Sequence, residues 1–340
     1  MSILPVYVGL DYHDDSVRVC VLSMDGDALV NRDVANSPAL VEDLVLCHGV
    51  PRGVAIEACC GAADFATKLI EITGWDVRMA HPGYVAKLKK SRDKTDHGDA
   101  WLLADLLRVN YLPEVWIADE RTRQLRRLVR YRESVSSERK NTKLRIRSLL
   151  REERIISPRS RPWTKAWMEW LESVNLGEES RWIMSRLIGE LQDKLKSLQE
   201  IEKRMSQAVA CDALCQKLLE QAGVGLITAM TLRAEIGRFD RFGTGKQLAR
   251  FCGVTPRNAS SGKRVADAGL IAESNKNLRR VLIEAAKRLP RHEPRWKELH
   301  TRLRRTKPAN VVSAAIANRW IRSLYHQVKH IPLDQTLLAA

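Results

Sequence analysis

The chain of 340 residues lacks the features that mark membrane-spanning and secreted proteins. No apolar run reaches the roughly 18 residues that a membrane span requires, and residues 1–5 show no basic segment followed by an apolar one. The seven cysteines form neither a CxxC spacing nor a disulfide framework. We therefore expect reduced thiols, no membrane association and a cytoplasmic location.

Acidic residues are scarce relative to basic ones. Lys and Arg number 57 and Asp and Glu 41, which gives a net charge of +16. A positive field of this size favours a polyanionic partner, most commonly nucleic acid, although a merely basic soluble enzyme is the alternative. Hydrophobic residues make up 44% of the chain, so extended disorder is excluded and about two domains with buried cores are expected.

The first hundred residues alternate between strand and helix patterns. Val17, Val19 and Val21 recur with a period of two, which is typical of a half-buried strand, and Asp25-Gly26 predicts a hairpin turn. Strands are predicted at 6–11, 16–23, 28–34, 53–58 and 76–80, and helices at 38–47, 62–72 and from residue 96 or so to about 109. Three consecutive strands followed by alternating helices and strands resemble a ribonuclease H-like α/β domain, which we place at residues 1–115.

A basic helical stretch follows. Residues 121–161 contain fifteen Lys and Arg against four Glu. The interpretation as a phosphate-binding helix competes with that of a solvated helix face, but such faces usually carry balanced charges. The nucleic-acid-binding residues predicted here are Arg126, Arg127, Arg130, Lys140, Lys143, Arg145 and Arg147.

The basic stretch belongs to a predicted helical connector, residues 116–215. Trp163, Trp167 and Trp170 are spaced as core or interface residues. A heptad pattern predicts either a helical hairpin within the chain or a coiled coil between subunits; it consists of Ile188, Leu191, Leu195, Leu198 and Met205. We expect a mainly helical domain at 216–340, with a helix-hairpin-helix-like element at 222–237 and a final helix at 309–328.

Four acids stand out by position. Asp11 ends the first strand, Glu57 lies near the end of a later apolar strand, and Asp96 and Asp99 open a helix on one face. Each has a structural alternative. Asp11 could be a surface turn residue, Asp96 could cap the N-terminus of its helix, and Asp99 could interact with the helix dipole in the first turn. Glu57 is harder to dismiss, because an unpaired carboxylate in an apolar strand is costly. Carboxylates that converge in this way suit Mg²⁺, which can clamp both oxygens of a phosphodiester cleavage.

Motifs along nearly the whole chain resemble those of the DEDD insertion-sequence transposases, which have a RuvC-like N-terminal domain and a C-terminal serine-bearing domain. The matching segments are GLD at 9–11, IEA at 56–58, KTDHGDA at 94–100, GVG, LIT and AEIG within 223–237, and GVTPRNASSGKR at 253–264. One departure is AGVGLIT, where a Pro-Gly start is usual.

The resemblance implies roles for individual residues. Asp11, Glu57, Asp96 and Asp99 correspond to the acidic tetrad, and Ser261 corresponds to the nucleophile, with Ser260 as the alternative. Arg257, Lys263 and Arg264 would stabilise phosphate charge near that serine. Because a serine hydroxyl is a weak nucleophile and its local motif contains no histidine, we expect a composite site of Mg²⁺-bound carboxylates and Ser261.

The resemblance further implies cleavage and rejoining of donor and target double-stranded DNA through a phosphoserine intermediate. A homo-oligomer, dimer or tetramer, would act with a structured non-coding bridge RNA that selects both DNAs by base pairing. Excess backbone-binding cations suit a protein that delegates sequence reading to RNA. Alternatives are a site-specific invertase of the same family, a RuvC-like nuclease that uses water and metal, and a non-catalytic nucleic-acid-binding protein.

Overall fold

The computed structural model describes residues 4–89, 96–258 and 267–331, with backbone alone for residues 96, 97, 258, 267 and 268. The chain separates into two compact units, Met1–Glu120 and Arg121–Ala340. The second unit contains both the connector and the C-terminal domain expected from the sequence, so the finer division at residues 115 and 215 stays a prediction.

The first unit is built on a mixed six-stranded sheet with the strand order β3-β2-β1-β4-β5-β6. The strands are β1 (Pro5–Tyr12), β2 (Ser16–Leu22), β3 (Ala28–Ala35), β4 (Val50–Glu57), β5 (Val77–Ala80) and β6 (Glu114–Val115). The pairs β1–β4 and β4–β5 are parallel, and the other neighbours are antiparallel. This mixed α/β architecture is consistent with a ribonuclease H-like domain.

Helices cover both faces of the sheet. They are α1 (Pro38–Leu46), α2 (Ala62–Thr73), α3 (Pro82–Leu88) and α4 (Asp96–Arg108). On one face Val6, Val8 and Leu10 pack with residues of α1 and α2, and on the other Ala55 packs with the leucines of α4. This alternation follows from the pleat, because successive side chains of a strand point to opposite faces.

Two elements of this unit were not predicted from the sequence. Helix α3 starts at Pro82, and the His81 ring caps it by accepting a hydrogen bond from the Gly83 N–H at 3.1 Å. Strand β6 pairs with Met79 and Ala80 of β5. The remaining predicted strands and helices are confirmed, with β4 beginning three residues earlier than predicted, at Val50.

The second unit is mainly helical. Its helices are α5 (Glu120–Glu152), α6 (Lys165–Ser173), α7 (Glu178–Ala210), α8 (Ala213–Leu219), α9 (Leu226–Ile236), α10 (Gly245–Phe251), α11 (Lys276–Arg288), α12 (Pro294–Arg304) and α13 (Ala309–Val328). A 3₁₀ turn, Leu289–Arg291, joins α11 to α12. The final helix has the predicted bounds.

Helices α5 and α7 pair in antiparallel fashion within the chain. Three ion pairs join the two helices at positions that rise along α5 and fall along α7; these are Arg132–Glu202, Lys194–Glu138 and Arg145–Glu190. Buried Leu198 and Met205 of α7 pack against Leu125 and Val129 of α5. The heptad pattern therefore forms a helical hairpin, the intramolecular alternative of the sequence prediction, although Leu195 is 41% exposed.

The tryptophans after α5 form a small core of their own. Trp167 is 1% exposed, and its ring centroid lies 4.6 Å from that of Trp163 and 5.4 Å from that of Trp170. They pack with Ile146 of α5 and Leu187 of α7. The predicted core role is confirmed.

Helices α8 to α13 enclose the largest core, which includes Trp296 and Trp320. Between α10 and α11 the structure has two short antiparallel strands, β7 (Pro256–Asn258) and β8 (Asp267–Leu270), which were not predicted from the sequence. In the described parts of the chain, no helix has the length and apolar character needed to cross a membrane.

Candidate carboxylate site and nucleic-acid interface

Asp11 and Glu57 lie at the same end of two adjacent central strands. Gly9 of β1 is in register with Ala55 of β4, and Leu10 is in register with Ile56. Asp11 and Glu57, the next residue along each strand, therefore lie side by side. Because side chains alternate, Asp11 shares a face with Gly9, and Glu57 shares that face with Ala55. Both acids are therefore on the side of the sheet that α4 covers.

Helix α4 approaches this face very closely at Gly9. A Cβ atom added at Gly9 would lie 2.0 Å from the Ala100 carbonyl oxygen and 2.6 Å from the Ala104 nitrogen. No other residue fits this approach without moving the helix. Asp99 directly precedes Ala100 and is 8% exposed. The fold thus packs the helix that contains Asp99 against the sheet face that Asp11 and Glu57 share.

The electrostatics of this edge are dominated by its acids. Partial burial, and then the negative charges of Glu57 and Asp11, raise the pKa of the Cys59 thiol. The His13 Nε2 atom lies 3.5 Å from Asp11 Oδ2. Lys89, which sequence reasoning missed, places its Nζ atom 2.6 Å from Asp99 Oδ1.

The donor set fits a hard divalent cation, because every candidate ligand is a carboxylate oxygen. The ammonium of Lys89 at Asp99 shows that this edge already attracts positive charge. Among the described side chains no three His, Cys, Asp or Glu residues are assembled closely enough to hold an ion as they stand. Asp96 begins α4, but its side chain lies outside the described residues, as does that of His97.

The predicted nucleophile also lies outside the described residues. Ser261 and its alternative Ser260 fall between β7 and β8, together with Lys263 and Arg264. Arg257 is in β7 and is exposed. The described strands therefore fix the two ends of the segment that carries the serines.

Two of the predicted nucleic-acid-binding arginines on α5 hold α9. Arg126 donates to the carbonyl oxygens of Ala234 at 2.8 Å and Glu235 at 3.4 Å, close to the end of that helix. Arg130 donates from Nε and Nη2 to the two carboxylate oxygens of Glu235, each at 2.9 Å. Glu235 is 2% exposed, and Asn275 donates to it at 2.8 Å.

The other predicted cations of α5 differ in how far they are engaged. Arg145 is paired with Glu190, and Lys143 and Arg147 lie over the Trp163 ring at 4.5 and 5.5 Å. Lys140 and Arg127 are both exposed to solvent, and Arg127 in addition has a polar interaction partner. The basic helix thus contributes both internal contacts and solvent-facing charge.

Sequence reasoning missed the buried polar network around α9. Arg233, 1% exposed, donates to Asp212 at 2.7 Å and to Thr122 of α5 at 2.9 Å. Burial acts to raise the pKa of the Glu235 carboxyl, but Arg130, Asn275 and Arg126 together outweigh burial, so this pKa is lowered. The available signal was one Arg and one Glu inside the otherwise apolar run LITAMTLRAEIG, since buried charges need partners.

A mixed sheet with acids at the ends of its central parallel strands, followed in the same chain by a basic helical unit, is consistent with the DEDD, ribonuclease H-like class of enzymes that act on nucleic acid. Residues 8–155 match the model of IS110-type DEDD proteins described as "Transposase". Residues 215–301 match the model described as "Transposase IS116/IS110/IS902 family". These two ranges contain the four predicted acids and both candidate serines.

Relatives agree over most of the chain. A "Probable family 20 transposase" of Pseudomonas aeruginosa is 32% identical over 290 residues, covering 80% of this chain and 82% of the relative. The transposase of element IS1328 from Yersinia enterocolitica is 26% identical, covering 93% and 94%. That of IS1111A from Coxiella burnetii is 25% identical, covering 84% and 78%. The chain belongs to the IS110/IS116/IS902 family of transposases and is an enzyme that acts on DNA.

Proposed function

We propose that this transposase cuts and rejoins DNA strands through a covalent phosphoserine intermediate, with Ser261 as the nucleophile and the carboxylates of the first unit as its catalytic partners. The observation that carries the proposal is the side-by-side placement of Asp11 and Glu57 at the ends of two paired parallel strands, on the sheet face against which α4, the helix that contains Asp99, packs. Family membership, with matches over both the acids and the serines, supports it.

The reaction conserves phosphate ester bonds. The Ser261 oxygen forms a bond to the scissile phosphorus, the bond from phosphorus to one deoxyribose oxygen breaks, and the serine proton ends on that leaving oxygen. The reverse attack by a DNA hydroxyl restores the serine and rejoins the strand, so no external energy source is required. Arg257, Lys263 and Arg264 stabilise the charge that develops on the phosphate.

DEDD transposases generally use divalent metal ions. In this chain Asp11, Glu57, Asp96 and Asp99 would hold Mg²⁺, which supplies Lewis-acid stabilisation of the reacting phosphate when bound. By holding that cation, the carboxylates would offset their own repulsion of the anionic phosphate and would favour deprotonation of the serine hydroxyl. Gly9 keeps α4, and with it Asp99, against the sheet.

We propose in addition that a structured bridge RNA directs the enzyme to donor and target DNA, and that the active form is a homo-oligomer, a dimer or tetramer. The excess of cations over acids supports binding of nucleic acid through its phosphate backbone. Recombination of supercoiled plasmids with and without the element's flanking transcript tests the RNA requirement. Equal recombination without the transcript would reject it, and inversion products alone would favour the invertase alternative.

The central test is capture of the protein–DNA adduct. Ser261→Ala and Ser260→Ala are assayed separately with the wild-type chain on the same supercoiled DNA. We expect the adduct to survive Ser260→Ala and to disappear with Ser261→Ala. An adduct that persists in Ser261→Ala would reject the assignment, and strand cleavage without any adduct would favour the nuclease that uses water.

A further inference from the structure

A second basic segment lies at the far end of the described chain. Residues 276–307 contain twelve Lys and Arg against three Glu, an excess of nine positive charges within a chain of net +16. The segment comprises α11, the 3₁₀ turn and α12. Over half of the net charge therefore lies in less than a tenth of the chain.

Packing directs these charges outward. Helix α11 buries Leu278 and Leu282, and α12 buries Trp296 and Leu299, all within one core. Both helices pack on α13, so their polar faces are directed away from it. The exposed cations are Lys276, Arg280, Lys287, Arg288, Arg291, Arg295, Lys297, Arg302, Arg304, Arg305 and Lys307.

Most of these cations are not neutralised by the protein. Arg280 pairs with Glu133 and Lys287 with Glu284. The others form no ion pair with an acid in the described ranges 4–89, 96–258 and 267–331; they include Lys276, Arg288, Arg291, Lys297, Arg302, Arg305 and Lys307. Like charges held together on a rigid surface repel one another, and a polyanion relieves that repulsion.

The surface lies next to elements for which nucleic-acid contacts are predicted from the sequence. The Arg280–Glu133 ion pair places the beginning of α11 beside the basic helix α5. Strand β8 ends at Leu270, and α11 begins at Lys276 after the Asn275 cap, so the basic segment follows closely in sequence on the strands that flank Ser261. From Lys276 to Arg291 the surface extends roughly 20 Å, enough to meet several phosphates of a duplex.

We propose that the outward face of residues 276–307, here called the α11–α12 surface, binds the phosphate backbone of duplex DNA. The proposal rests on the function proposed above, because attack by Ser261 requires the DNA beside the scissile phosphate to be held by the same compact unit. Base-independent contacts of this kind fix position and orientation without reading sequence.

The test compares two sets of substitutions that remove the same charge from the full chain. The surface variant combines changes of four cations to glutamine; these are Arg288→Gln, Arg291→Gln, Arg302→Gln and Arg305→Gln. The control variant combines four exposed cations of α6 and α7; these are Lys165→Gln, Arg186→Gln, Lys196→Gln and Lys203→Gln. Each is titrated against a duplex of about 30 base pairs and an RNA stem-loop of equal phosphate number over a series of salt concentrations.

For the duplex, we expect the surface variant to reduce the slope of log affinity against log salt by about 3 to 4, and the affinity on the order of a hundredfold or more near physiological salt. The control variant should keep nearly the wild-type slope. An equal slope change in both variants would overturn the proposal, as would a loss confined to the RNA stem-loop. As a control for folding, the surface variant should unfold thermally with the same midpoint temperature as the wild type.

Failure here is distinguishable from failure of the proposed function. If the surface variant binds the duplex with the wild-type slope while Ser261→Ala abolishes the adduct, the surface assignment is wrong and the phosphoserine mechanism stands. If the surface variant loses duplex binding while an adduct forms in Ser261→Ala, the surface assignment stands and the nucleophile is wrong.

Discussion

Helix α5 and the α11–α12 surface are the two most basic parts of the second unit, and they use their cations differently. On α5, Arg126 and Arg130 hold α9, and Arg132 and Arg145 pair with acids of α7. On the α11–α12 surface, cations such as Arg288 and Arg305 have no acid partner among the described residues. Two segments of similar composition thus differ in function: the cations of α5 mainly join helices of the protein, whereas most of those of the α11–α12 surface remain, within the described chain, as unpaired positive charge facing solvent.

The difference shows that a run of basic residues does not by itself identify a nucleic-acid surface. A cation paired with a buried carboxylate contributes to stability, whereas an exposed unpaired cation contributes little to stability and much to the field felt by a polyanion. Substitutions that remove one charge from each region should therefore separate effects on unfolding from effects on binding.

The largest effect is expected in the buried polar network around α9, which joins that helix to Asp212 and to Thr122 of α5. Asp212→Ala leaves the guanidinium of Arg233, 1% exposed, without its carboxylate and removes the cap that accepts from the Cys215 N–H. We expect a loss of about 3 to 5 kcal/mol in the free energy of unfolding, measured by urea denaturation. The exposed Asp193→Ala is the control, and an equally small loss in both would contradict the role of the network.

The next effect concerns Arg130 and Arg288, each of which loses one charge on substitution by glutamine. Arg130→Gln leaves the buried carboxylate of Glu235 without its two-bond partner, so we expect a loss of about 2 kcal/mol. Arg288→Gln should change stability by less than about 0.5 kcal/mol. Chemical denaturation of both variants checks the contrast, and it fails if Arg288→Gln is the more destabilised.

A pH dependence follows from Glu235. Burial opposes ionisation, but Arg130, aided by Asn275 and Arg126, lowers the pKa of this carboxyl in the folded state. The folded state thus binds the proton less readily than the unfolded state, so this stabilisation is present above the ordinary value of 4.5 and is lost as the pH falls through the lowered pKa. Glu235→Gln should flatten this acid limb in urea denaturation, and an unchanged acid limb would contradict the assignment.

The smallest effect on stability is expected at Lys140 of α5, which is exposed and has no acid partner among the residues described. Lys140→Gln should leave the free energy of unfolding within about 0.5 kcal/mol of wild type. It should lower the salt slope of nucleic-acid binding by about one. A measurable destabilisation with an unchanged slope would instead show that Lys140, like Arg130, makes contacts that stabilise the folded protein.

Local sequence patterns were sufficient for the central strands and for most helices, because periodic apolar residues report burial directly. They were insufficient for β6, β7 and β8, which have two, three and four residues and are too short to show a pattern with a period of two. Helix α3 was missed for a related reason: among its seven residues only Val85 is buried, so no periodic signal exists.

The candidate site was predictable residue by residue but not as an arrangement. Asp11 and Glu57 could be selected as acids at strand ends, while their side-by-side placement depends on the register of β1 with β4. Lys89 at Asp99 and Glu235 at Arg130 could not be selected, because each pairing depends on tertiary packing; Arg130 and Glu235 are 105 residues apart in sequence. Long-range pairing decides which charges remain available.

The most direct measurement of the central claim is the yield of the covalent protein–DNA adduct in Asp11→Asn, a substitution that keeps the size of the side chain and removes its charge. If the carboxylates of the first unit and the serine of the second act in one reaction, this variant binds DNA like the wild type and forms no adduct. An adduct at the wild-type yield in Asp11→Asn would contradict the account.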